Sequence, residues 1–122
     1  MNDKLQDKVT NVLGKDYKLH FDEEGVDVEF WSPAGEDMTA YLRGDTLKEL
    51  SQEAMESYDS FDPDDHAAQI YHAKEYGTEE QQRFYAGAPA SLEDLLEDAK
   101  AIKRTLKDIV DKLEKAAKKE GR

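Results

Sequence analysis

The chain has 122 residues, no cysteine, equal shares of hydrophobic and charged residues at 38%, and a formal net charge of −12. Lack of cysteine excludes disulfides, thiolate metal sites and a cysteine nucleophile, and no apolar run approaches the ~20 residues that cross a bilayer. The acidity is local, since residues 21–66 hold fifteen carboxylates against only Arg43 and Lys48, while 1–20 sum to +1 and 67–122 sum to zero.

Such a field repels nucleic acid and anionic membranes and attracts basic proteins. The length is that of one domain, spanning 1–122. The N-terminal stretch is charged throughout and has no apolar h-region, so it does not read as a secretory signal, and a cytoplasmic location is expected.

In residues 1–14, Leu5, Val9, Val12 and Leu13 fall on one face of a short helix that Gly14 closes. Residues 17–43 read as an antiparallel sheet. Tyr17, Leu19 and Phe21 alternate with Lys18 and His20, and Val26, Val28 and Phe30 alternate with Asp27 and Glu29. The connection Asp22-Glu23-Glu24-Gly25 offers glycine for a positive φ. Pairing Phe21 with Val26 sets Leu19 against Val28 and Tyr17 against Phe30 on the apolar side, with His20 against Asp27 and Lys18 against Glu29 on the polar side. After the turn Ser32-Pro33-Ala34-Gly35, Met38, Ala40 and Leu42 alternate as a third strand.

Two helices fill 46–76. Thr46-Leu47-Lys48-Glu49 fits a capping box, with Asp45 as a competing N-cap, and Leu47, Leu50, Ala54 and Met55 form a stripe. Asp62 with Pro63 at the first helical position starts the second helix, which stops at Gly77. Residues 77–90 read as a loop, marked by Gly87 and Pro89. A long helix over 91–119 opens at Ser91, acidic first and basic last, as the helix dipole favours. Its apolar residues follow heptads, with Leu92, Leu106 and Leu113 at one position and Leu95, Ile102 and Ile109 at another.

No catalytic motif organises the Ser, His and Asp residues. His20 reads as a cross-strand partner of Asp27, and His66 and His72 as helix-surface residues. Asp59-x-x-Asp62-x-Asp64-Asp65 lacks the glycine and the terminal glutamate of a calcium loop. No enzyme, cofactor or metal site is expected. Helix capping accounts for Asp45, Asp62, Asp64 and Asp65. It does not account for Asp22, Glu23, Glu24, Asp27, Glu29, Glu36, Asp37, Glu53, Glu56 and Asp59, which have no interleaved lysines. Trp31 falls on the polar side of the hairpin, either covered by the long helix or exposed as an interface anchor.

The stretches SYDSFDPDDHAAQIYHAKEYG (57–77) and SLEDLLEDAKAIKRTLKDIVDKLEK (91–115) resemble small acidic accessory proteins carried by phages and conjugative elements of Gram-positive gut bacteria. Proteins of this size, charge and setting look like anti-CRISPR and anti-restriction proteins. The resemblance implies an inhibitor that occupies the nucleic-acid channel of a host defence protein; it supplies no catalytic or binding residue.

The elements together predict an α+β fold, with a three-stranded antiparallel sheet, packed helices and a long C-terminal amphipathic helix. The expected function is a non-enzymatic nucleic-acid mimic. Its ten carboxylates and Trp31 would bind a basic nucleic-acid-binding protein, such as a CRISPR effector, with no direct contact to nucleic acid or membrane. Two alternatives accompany it. One is an assembly module that forms a homodimer through Leu92, Leu95, Ile102, Leu106, Ile109 and Leu113. The other is an immunity-type protein against a basic toxin.

Overall fold

The computed structural model describes residues 1–121, so Arg122, the last residue of the expected domain, lies outside the description. The fold is α+β, in the order α1 (Asp3–Leu13), β1 (Lys18–Phe21), β2 (Gly25–Trp31), β3 (Asp37–Arg43), α2 (Leu47–Ser60), α3 (Pro63–Tyr76), α4 (Glu79–Phe84) and α5 (Leu92–Glu120). The strands form one antiparallel sheet in sequence order. Among the described residues, no helix is long and apolar enough to cross a membrane.

The hairpin has the register that its alternation predicts: Phe21 opposite Val26, Leu19 opposite Val28, His20 opposite Asp27 and Lys18 opposite Glu29. β3 extends the pattern, with Leu42 opposite Val26, Ala40 opposite Val28 and Met38 opposite Phe30. One sheet face is therefore apolar, and it packs with α1, α2 and α5 around Val9, Leu13, Val28, Leu42, Leu50 and Ile109. The opposite face is open. It presents Asp27, Glu29 and Trp31 from β2 beside Asp37, Thr39, Tyr41 and Arg43 from β3.

The connection at the hairpin tip works differently from the expectation. Gly25 does not use positive φ. Instead it lets β3 approach, since a Cβ there would stand 1.9 Å from the Leu42 carbonyl oxygen. The Asp22 carboxylate shapes the turn by accepting hydrogen bonds from the Glu24 and Gly25 N–H groups at 2.8 and 2.9 Å. Positive φ is used at Gly35, in the β2–β3 turn (φ 95°). Thr46 is the N-cap of α2 and Asp62 that of α3.

The stretch 77–90 is not wholly loop. Thr78 and Gln81 close a capping box that starts α4. This helix buries none of its residues, so its sequence carries no apolar period. Lys74 anchors the connection behind it by donating to the carbonyls of Ala88 (2.5 Å) and Pro89 (3.3 Å).

The heptad seam of α5 is filled from within the chain. Ile102, Leu106, Ile109 and Leu113 belong to the core beneath the sheet. Leu95 and Ala99 belong to a second, smaller core with Ala67 and Ile70 of α3. At 29 residues, α5 is long because it serves both cores. Of the six residues expected to form a dimer seam, only Leu92 stands outside, 46% exposed. A zipper through the other five would require the fold to open.

Candidate acidic interface

Two turns and a helix position the carboxylates. The hairpin tip, at residues 22–24, lies where β2 begins and β3 ends. The β2–β3 turn, at 32–36, lies at the other end of those strands. Seven residues of strand separate the two ends by about 23 Å. α2 leaves the sheet just past Arg43 and spans about 21 Å over its fourteen residues. It returns along β3 toward the second turn, where His66 of α3 meets Glu36, with Nε2 at 3.0 and 3.1 Å from the two carboxylate oxygens.

Glu53 fixes which flank of α2 faces β3, because its carboxylate accepts the Arg43 N–H at 3.1 Å. Glu49 lies one turn earlier, against Gly44. Glu56 lies three residues later, on the same flank by the 100° helical step. The edge of β3 thus carries a row of carboxylates. It starts at Asp22, Glu23 and Glu24, continues through Glu49, Glu53 and Glu56, and ends at Asp62, Glu36 and Asp37. Nine carboxylates are thus distributed in three groups, at the hairpin tip, on the flank of α2 and near the β2–β3 turn, with Arg43 paired at the tip and His66 paired to Glu36.

Most of these anions are held in place. Arg43 gathers the tip: Nη1 lies 3.0 Å from Asp27, Nε 3.7 Å from Glu24 and Nη2 3.9 Å from Asp22. Its guanidinium is held above its usual pKa, first by the hydrogen bond to Asp27. The two N–H groups that bind Asp22 hold its carboxyl below the usual range. Glu24 is the most solvated of the three, with its side chain 81% exposed.

Several sequence expectations need correcting. His20 faces Asp27 in the ladder, yet its Nε2 lies 3.0 Å from Glu29, while Asp27 goes to Arg43 across the sheet. Asp27 and Glu29 therefore sit on the open face and not in the edge row. Glu29 is held below the usual carboxylate range, first by the His20 hydrogen bond and then by its hydrogen bond with Asp37. Asp37, bonded to Glu29 and facing its charge, keeps its proton to higher pH than an ordinary aspartate. Asp59 stands about 120° round α2 from Glu53 and does not join the row. His66 is not a free surface residue, because it also packs against the Phe61 ring at 5.0 Å. Of the two places open to Trp31, the structure has the exposed one: it lies on the open face, 52% exposed, as does Tyr41 at 61%.

Sequence reading passed over Glu49, Asp62 and Arg43, taking the first two as caps and the third only as a stray cation. The i, i+4, i+7 spacing of Glu49, Glu53 and Glu56 was the available signal for the row. A cleft of about 520 Å³ lies between the β2–β3 turn and the connection before α5, lined by Glu36, Asp37, Phe84, Tyr85, Pro89 and Asp98. Among the described residues, no three His, Asp or Glu side chains are gathered so as to hold a metal ion. No family model matches this sequence, and no match was found among curated proteins or solved structures.

Proposed function

We propose that this chain is a non-enzymatic inhibitor that offers its β3–α2 carboxylate row to the basic cleft of a nucleic-acid-binding protein, in place of nucleic acid. The observation that carries the reading is the gathering of carboxylates at the hairpin tip, the α2 flank and the β2–β3 turn, on a hydrogen-bonded frame. Solubility alone calls for mixed charges. A row fixed by backbone N–H groups and Arg43 is ordered before binding, which lowers the entropy cost of association. An RNA-guided nuclease or a restriction enzyme, the partners that the sequence resemblance implies, has the required basic channel.

The test is a DNA-cleavage assay with a purified RNA-guided nuclease and, in parallel, restriction enzymes, together with direct binding at rising salt. Inhibition should fall steeply between low and high ionic strength. Glu49→Lys/Glu53→Lys/Glu56→Lys should weaken binding by about 100-fold or more. Binding indifferent to both salt and charge reversal would refute the reading.

A further inference from the structure

β3 is an edge strand, and its free edge is the one beside the carboxylate row. Gly44 N–H donates to Glu24 O at 3.0 Å, and Ser32 N–H donates to Glu36 O at 2.8 Å. These bonds fix the phase of the ladder: Met38, Ala40 and Leu42 turn their backbone groups toward β2, and Asp37, Thr39, Tyr41 and Arg43 turn theirs outward. Arg43 N–H is taken by Glu53. Among the described residues, the N–H groups of Asp37, Thr39 and Tyr41 have no hydrogen-bond partner.

The two edges of the sheet are treated differently. β1 is four residues long and carries Lys18, both common ways to blunt an edge. β3 has seven residues in unbroken register, with no lysine, proline or bulge. A strand laid beside it would project alternate side chains to two places. One set would lie over the flank of α2, against Glu53 and Glu56. The other would lie on the open face, beside Asp37, Thr39 and Tyr41. The first place is acidic, and the second holds Asp37 at one end and Arg43 at the other, with Asp27 and Glu29 one strand further in. A second copy of this chain would bring like charges together, whereas a segment with basic residues at alternate positions satisfies both sides.

We infer that β3 is a docking edge that takes an extended, Lys- or Arg-bearing segment of the partner protein as a fourth strand. This rests on the reading of the row as a surface for a basic protein and adds the mode of recognition. Backbone hydrogen bonds at Thr39 and Tyr41 supply the pairing, and the carboxylates select the basic side chains.

The experiment uses the full chain with two synthetic peptides of equal charge, (Lys-Thr)5 and (Lys-Pro)5, followed by Trp31 fluorescence and amide hydrogen exchange. (Lys-Thr)5 should slow exchange at Thr39 and Tyr41 by about tenfold or more, while Ala40 and Leu42, already bonded to β2, change little. (Lys-Pro)5 lacks half of the backbone donors and should bind about fivefold more weakly or worse, without that protection. Thr39→Pro replaces an outward N–H by a ring that blocks an added strand, a substitution that edge strands accept. It should lose the protection and about tenfold in affinity. Thr39→Lys, which keeps the backbone and sets a cation beside the added strand's open-face lysines, should weaken binding of (Lys-Thr)5 and reduce the protection if the proline variant fails to fold.

Equal, salt-sensitive binding of both peptides with no edge protection would overturn the docking edge and leave the acidic-surface reading standing. No binding of either peptide at about 50 mM salt would overturn both. Edge protection without peptide, together with a doubled mass in solution, would assign the edge to a second copy and overturn the basic occupant.

Discussion

Lys103 offers a sharp test of how the helical layer is held. From the middle of α5 its ammonium donates to the Tyr58 carbonyl and, at 2.7 Å, to the Phe61 carbonyl, and it lies 4.1 Å from the Tyr58 ring centroid. It therefore serves as the C-terminal cap of α2, where carbonyls have no helical partner and a cation is favoured by the dipole. Lys103→Met keeps the apolar stem and removes the charge. Two charge-assisted bonds at a half-exposed site are worth about 1 kcal/mol each, and the contact with the ring adds about 0.5 kcal/mol. The expected loss is about 2–3 kcal/mol, or a fall in Tm of about 10 °C for a domain of this size. Urea and thermal denaturation followed by circular dichroism would measure it. Lys100→Met is the control, because Lys100 pairs with Glu97 on the surface at 3.5 Å. A Lys103→Met loss below about 0.5 kcal/mol would refute the capping role.

Tyr17 donates its phenol to Asp108, joining the start of the sheet to α5. Burial and then that bond raise its pKa above the ordinary 10, so its contribution is full below pH 10 and is lost as pH climbs through the raised value; Tyr17→Phe should cost about 1–1.5 kcal/mol at pH 7 and soften the alkaline limb of a stability–pH profile. Gly25→Ala should disrupt pairing at the tip and cost about 3 kcal/mol, whereas Gly87→Ala, with nothing within 4 Å of its added Cβ, should leave the urea midpoint unchanged. Asp22 has a lowered pKa, so its stabilisation is present above its ordinary value of 3.8 and is lost as pH falls through the lowered one; Asp22→Asn should flatten the acid limb of the same profile, and an unchanged limb would count against the turn assignment.

The hairpin register was legible because the alternation in both strands and the tip turn specify the same pairing, and a slip of one residue would turn Leu19 and Val28 to solvent. Asp62-Pro63 announced α3 for an equally local reason. What the sequence withheld were the consequences of β3 lying beside β2. Only that pairing puts Arg43 next to Asp27, frees His20 for Glu29, and makes Gly25 a point of close approach instead of a positive-φ hinge. α4 escaped because its single signal, the Thr78/Gln81 capping box, is not backed by a buried stripe. The heptads of α5 were real, but periodicity gives only the knobs. The holes are supplied in part by Val9, Leu13 and Leu50, residues of two other helices.

On the proposed function, carboxylates in this chain act twice, and the two roles are linked. Asp22, Glu53, Asp62 and Asp98 each accept a backbone N–H: at the hairpin tip, the free edge of β3, the start of α3 and the β2–β3 turn. A carboxylate that accepts N–H bonds is favoured in its charged form. The bonds that build the turns therefore also hold the anions in fixed positions, and at the tip they hold the Asp22 carboxyl below the usual range. Exposed, mobile glutamates could supply the same net charge, but they would lose side-chain entropy on meeting a partner. Here that ordering accompanies folding. Neutralising Asp22, Glu53 or Asp62 should disturb both local structure and binding, whereas neutralising Glu23 or Glu56 should weaken binding alone. Comparing Glu56→Gln with Glu53→Gln in the salt-dependent binding assay, alongside thermal denaturation, separates the two roles. Equal losses of stability from both would show that Glu53 is not an anchor of the β3 edge.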